Sequence, residues 1–176
     1  MIKVILLVTL SFATLFSIGQ GKAKKRPMAW LTVAEAQAKM DAETRPVLVD
    51  VYTDWCHYCQ VMDATTWVNP QVTDYVARNF YPVKFNAESK EPASWMGKDF
   101  EYKPAYKVHM LAAAWLLGNI VYPSTVIIPP NGAEPIVIPG VIEVKDLEPV
   151  LNYFGEKHYL TTTWEDYKSS FKNKWK

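Results

Sequence analysis

Cysteine is scarce in this sequence. Two residues in 176 cannot build a disulfide scaffold, and with the widely spaced His57, His109 and His158 they give no tetrahedral zinc spacing. His109 and His158 read as ordinary packed or surface histidines. An excess of either charge is also missing. Nineteen Lys+Arg against 18 Asp+Glu leave +1, too little for the positive field that a phosphate backbone demands, so nucleic acid is not an expected partner. No internal repeat or low-complexity tract occurs. The remainder, 49% apolar, 14% aromatic and 21% charged, is the composition of a globular chain with a real core, and its length fits one domain with an added tail.

The first twenty residues differ from the rest of the chain. Lys3 precedes an uncharged apolar run, Val4 to Ile18, of fifteen residues, shorter than the ~20 needed to span a bilayer as a helix. Ser17 and Gly19 place small residues before a cut at Gln20, so 1–19 reads as a signal peptide and 20–29, with Lys22, Lys24, Lys25 and Arg26, as a basic linker. The alternative is an uncleaved N-terminal anchor. No cysteine stands directly after the apolar run, which excludes a lipoprotein. Export implies an oxidising compartment. With no retention signal after Trp175-Lys176, a bacterial periplasm is expected.

Helix and strand signals then alternate. Thr32-Val-Ala-Glu35 fits a capping box opening a helix to about Asp41. Val47 to Tyr52 is a β-branched run suited to a strand covered on both faces, and a helix is expected to start near Cys56. Asn69-Pro70 is an N-cap with proline at the first helical position. Tyr81 to Asn86, Ser124 to Ile128 and Pro135 to Ile138 read as strands, the last two a hairpin around Pro130-Asn-Gly132. Leu147, Val150, Leu151 and Phe154 form a helical stripe ending at Gly155, with Pro149 expected in its first turn. Between Asn86 and Pro123 lies an elaboration, a loop around Trp95 and then a helix from Tyr106 to Leu117, with Val108, Leu111 and Trp115 on one face and Gly118 at its end. Trp164, Tyr167, Phe171 and Trp175 are spaced for an amphipathic C-terminal helix that docks on the domain. The expected fold is α/β: a central mixed sheet of about four strands flanked by helices, the folded domain spanning 30–157 and a helical extension 158–176.

The chemistry lies in Asp54-Trp55-Cys56-His57-Tyr58-Cys59. Two cysteines three apart at the start of a helix can close a small disulfide ring, and the helix end favours thiolate over thiol. Cys56 is then the expected nucleophile and the more exposed sulfur; Cys59, one turn inward, is the resolving thiol. An inert structural disulfide is the bland reading, yet so short a loop constrains little of the unfolded chain. A c-type haem would need histidine after Cys59, where Gln60 stands. His57 either supports the Cys56 thiolate as imidazolium or faces solvent.

At these residues the sequence resembles the thioredoxin superfamily, over about Trp30 to Phe154. Val49-Asp-Val-Tyr-Thr-Asp-Trp-Cys56 is similar to the strand leading into the redox helix, with Asp50 at the place of the buried acid and Trp55 just before the nucleophile. Lys84-Phe-Asn86 is similar to the second strand's ending, with Lys84 beside that acid. Tyr122-Pro123-Ser124 resembles the cis-proline turn facing the cysteines, and Gly140 the glycine after the final hairpin. Met62, Thr65-Thr66-Trp67 and Asn69-Pro70-Gln71-Val72 further resemble exported proteins related to the C-terminal domain of transmembrane disulfide reductases. The His57-Tyr58 dipeptide, Gln60 and the 87–122 insertion depart from ordinary thioredoxin.

The resemblance implies a monomeric thiol–disulfide oxidoreductase that needs no cofactor beyond Cys56 and Cys59. It would reduce protein disulfides and draw electrons from a membrane donor, with Asp50 moving the Cys59 proton or simply pairing with Lys84, and with Trp55, His57, Tyr58, Tyr122 and Pro123 in supporting roles. Two other readings stand beside it: a disulfide oxidase, and a non-catalytic module holding a partner protein or Cu(I).

Overall fold

The computed structural model of the protein describes residues 27–130 and 132–175. The expected signal peptide, most of the basic linker and Asn131 of the hairpin turn lie outside the described residues. The linker's end does not: Met28 is buried, and its amide donates to the Trp67 carbonyl at 3.2 Å. The folded unit therefore includes residues before Trp30.

The chain runs α1 (Val33–Ala42), β1 (Val47–Tyr52), α2 (His57–Ala64), α3 (Pro70–Asn79), β2 (Tyr81–Asn86), an insertion, β7 (Ser124–Ile128), β8 (Ile136–Pro139), α5 (Val144–Gly155) and α6 (Trp164–Ser170). The insertion carries the short strands β3 (Ala93–Trp95), β4 (Lys98–Phe100), β5 (Tyr102–Lys103) and β6 (Val108–His109), and then α4 (Met110–Trp115). The main sheet has the order β2-β1-β7-β8, with β1 and β2 parallel and the other pairs antiparallel. Local signals set the helix starts. The Thr32 hydroxyl accepts from the Glu35 amide while Glu35 accepts from the Thr32 amide, and Asn69 caps α3 ahead of Pro70.

Period-2 alternation sorts β1 onto two cores. Val47, Val49 and Val51 face a core shared with Val83, Phe85, Trp95 and Trp115. Leu48 faces the other, with Met62, Trp67, Val76 and Leu151. Asp50 shares the Leu48 face and Lys84, between Val83 and Phe85, the same face of β2; the two are register partners. An acid and a lysine thus sit beneath α2.

Three expectations need correction. The helix expected over Tyr106–Leu117 is only Met110–Trp115, preceded by two small hairpins. Lys107 adopts φ +51°, and Val108 and His109 pair with Lys103 and Tyr102, which takes the first part of the segment out of the helix. Pro149 lies in the second turn of α5, not the first, so it leaves the Lys145 carbonyl without its intrahelical donor. The side-chain amide of Asn173 donates to that carbonyl instead. The C-terminal helix stops at Ser170, and an extended tail carries Trp175 back to the domain, where it meets Tyr75 edge-on at 5.4 Å. The docking itself is as expected: Trp164, Tyr167 and Trp175 pack on the second core. Among the described residues no helix is long and apolar enough to cross a membrane.

Candidate active site

β1 ends at Tyr52, a turn comes next, and Cys56 becomes the N-cap of α2, its sulfur accepting the Cys59 amide at 3.1 Å. Cys56 and Cys59 form a disulfide of 2.05 Å. The sulfur of Cys56 therefore occupies the place where an N-cap oxygen usually sits, in the positive field of the helix end. The expected difference in exposure is not seen. Cys56 is 4% exposed and Cys59 3%, because the turn and its neighbours cover both sulfurs of the closed pair.

The supporting residues divide into two groups. Trp55 and Tyr58 are 67% and 63% exposed, and His57 is exposed with its ring against Tyr58. These flank the disulfide on the surface. Tyr122 comes to them from the other side of the sheet, its ring 6.1 Å from Trp55, edge to face. The Tyr122–Pro123 peptide bond is cis, and the Pro123 carbonyl accepts from the Gly140 amide at 2.8 Å. Gly140 adopts φ +84°, a conformation that suits glycine. Burial pushes the Tyr122 phenol up to about 12, and the charge of Glu88 adds to it.

Beneath the helix lies the buried group. Asp50 is 1% exposed, with Lys84 Nζ 3.4 Å from its Oδ2. Lys84 also contacts Asp63 of α2, a residue the sequence reasoning did not single out, and lies against the rings of Tyr52 and Trp30. The signal for Asp63 is its spacing: four residues after Cys59, it shares that helix face. Burial drives the Asp50 pKa up to about 6; Lys84 pulls it down and the charge of Asp63 pushes it up. The Trp67 indole also favours the charged form, although neither its nitrogen nor an Asp50 oxygen reaches hydrogen-bond geometry. Lys84, divided between two carboxylates, does not fully offset the desolvation of Asp50. His109 is packed away from this site, its Nδ1 accepting from Leu111 and its Nε2 facing the Glu91 carbonyl.

This arrangement, a strand, a CxxC disulfide at a helix N-terminus and a cis-proline turn whose tyrosine meets the residue before Cys56, supports thiol–disulfide exchange. Among solved structures the chain resembles a thioredoxin-fold protein from Helicobacter pylori (18% identity, 72% of this chain and 79% of that one, TM-score 0.54). It also resembles the DsbH oxidoreductase (15%, 80% and 92%, TM-score 0.55). A third resemblance is to a Bacteroides thetaiotaomicron protein solved in solution (21%, 78% and 98%, TM-score 0.52). At these identities the likeness is one of fold. Among curated proteins the sequence finds no match. The family model described as thioredoxin-like matches residues 28–130, more than half of the chain, from Met28 through β7. The chain belongs to the thioredoxin-like family.

Proposed function

We propose that the chain is an exported, monomeric thiol–disulfide oxidoreductase that reduces disulfides of protein substrates, using the Cys56–Cys59 pair and no other cofactor. The observation that carries this reading is Cys56 as the N-cap of α2, where the Cys59 amide and the helix end favour its thiolate. In the reduced protein the Cys56 thiolate attacks a substrate disulfide, one substrate thiolate leaves, and a mixed disulfide forms. Asp50 accepts the Cys59 proton, and the Cys59 thiolate attacks Cys56, releasing the second substrate thiol. The protein is oxidised by two electrons and the substrate reduced by two. Export rests on the Val4–Ile18 run and the small residues at Ser17 and Gly19. In an oxidising periplasm the pair needs an electron donor, for which a membrane reductase is the natural source. The direct test is insulin reduction by the dithiothreitol-reduced protein, which should turn over many times; stoichiometric Cu(I) binding without turnover would replace this reading.

Asp50→Asn separates the acid's two effects. A carboxyl raised to about 6 in the folded state against ~3.9 unfolded binds its proton more tightly when folded, so stability falls as pH rises from about 4 through 6. The ionised group then costs on the order of 3 kcal/mol at pH 7. The Asn variant is expected to be more stable than wild type at pH 7 by part of that amount, with the gain vanishing near pH 4, in urea melts at both pH values. Single-turnover release from the mixed disulfide should slow on the order of tenfold to a hundredfold. Unchanged release across pH 5–8 would leave Asp50 a purely structural residue.

A further inference from the structure

The surface around the disulfide is apolar and carries uncompensated negative charge on one side. Trp55 and Tyr58 are exposed there, as is Val121 next to Tyr122, whose ring meets Trp55, and the Gly140 amide is tied to Pro123. Beside the Trp55–Tyr122 contact stands a small acidic frame. The side-chain amide of Asn86 donates to Asp54 Oδ2 at 2.9 Å, and its Oδ1 accepts from the Glu88 amide at 2.9 Å. The Ala87 amide, between them in sequence, donates to the Tyr52 carbonyl at 2.8 Å and fixes this frame to the end of β1. Glu88 lies close enough to Tyr122 to act on its phenol.

Among the described residues, neither Asp54 nor Glu88 lies within salt-bridge distance of a cation. The neighbouring lysines are engaged elsewhere: Lys84 between Asp50 and Asp63, Lys90 on the Tyr102 ring and Lys103 on Glu101. The Asp50, Asp63 and Lys84 group itself sums to −1 when both acids are ionised. In a chain of overall charge +1, the surface beside the disulfide is locally negative, and a field of this kind raises the encounter rate of cationic partners and lowers that of anionic ones.

We propose that Asp54 and Glu88 make this redox face selective for polypeptide segments in which the reacting cysteine lies among apolar residues and is flanked by Lys or Arg. This rests on the oxidoreductase reading and names its substrate class. Exposed Trp55 and Tyr58 supply contact area for the apolar residues. The carboxylates, half-buried or at the rim, discriminate by charge and act chiefly on the on-rate. The exchange is balanced: the reduced Cys56–Cys59 pair becomes a disulfide, and each substrate disulfide yields two thiols.

The test uses three apolar peptides with one cysteine held as a mixed disulfide with 2-mercaptoethanol, identical except for two flanking Lys, Gln or Glu residues. Each rate with the dithiothreitol-reduced protein is divided by that with free dithiothreitol, which removes the peptide's intrinsic reactivity. At about 10 mM ionic strength, where screening reaches only beyond ~30 Å, the Lys peptide is expected to react about tenfold faster than the Glu peptide, with Gln between. At about 0.5 M, or in Asp54→Asn/Glu88→Gln at low salt, the ratio should fall below about twofold. Lys and Glu peptides within twofold of each other in wild type at low salt, or a preference that survives the double substitution, would overturn this assignment while leaving the oxidoreductase reading intact. No exchange with any of the three peptides would overturn both.

Discussion

A Cys59→Ser variant, reduced and mixed with oxidised protein substrates, is expected to accumulate mixed disulfides that dithiothreitol releases, while Cys56→Ser traps nothing and neither variant turns over. The asymmetry comes from the helix. Cys56 is the N-cap, its sulfur receiving the Cys59 amide at 3.1 Å, and a thiolate there is stabilised both by that hydrogen bond and by the dipole. Cys59 lies inside the first turn, where its own amide is spent on the Cys56 sulfur. Exposure does not distinguish the two in the disulfide form, at 4% and 3%, so the assignment stands on the field at the helix end. Non-reducing electrophoresis of the two variants decides it: adducts with Cys56→Ser and none with Cys59→Ser would reverse the roles.

The readings that succeeded rest on short-range physics. Thr32 and Glu35, and Asn69 with Pro70, are cap signals that act within one turn, and the β-branched runs of β1 and β7 are legible because both are covered on both faces. The CxxC pair is legible from its spacing at a helix start, and the place of Asp50 from the resemblance of the strand that leads into it. The failures are tertiary. Val108, Leu111 and Trp115 are all buried, as a helical stripe would be, but only the last two are in α4, and Val108 belongs to β6. Asp63 carries no signal in the sequence beyond its spacing because an acid on a helix is ordinarily a solvated one, and only its contact with Lys84 across the site gives it meaning. The four aromatics of the tail were spaced for a helix through Trp175, yet the chain leaves the helix at Ser170 because its last residues have partners elsewhere.

Those partners carry the largest expected effect on stability. Glu148 is 2% exposed in α5, and its carboxylate accepts the Lys174 amide at 3.0 and 2.9 Å and the Trp175 amide at 2.9 Å. A buried charge is thus held by the backbone of the tail, and the Trp175 ring packs edge-on against Tyr75. Ending the chain after Asn173 removes both donors and leaves the Asn173–Lys145 contact in place. Stripping a buried carboxylate of its partners costs about 3–5 kcal/mol, a large share of the ~5–15 kcal/mol of a whole domain. The melting temperature should fall by about 6–20 °C at the ~2–4 °C per kcal/mol typical of this size. Lost burial of Trp175 contributes as well, so the carboxylate's part is isolated by adding Glu148→Gln. In the full chain that substitution weakens the charge-assisted bonds from both amides and should destabilise; in the shortened chain it removes an unpaired buried charge and should restore about 1–3 kcal/mol. Urea unfolding of the four proteins gives the coupling directly. A Glu148→Gln effect of the same sign and size in both backgrounds would show that the tail does not hold this carboxylate, and that the cost of truncation is only the loss of Trp175 packing.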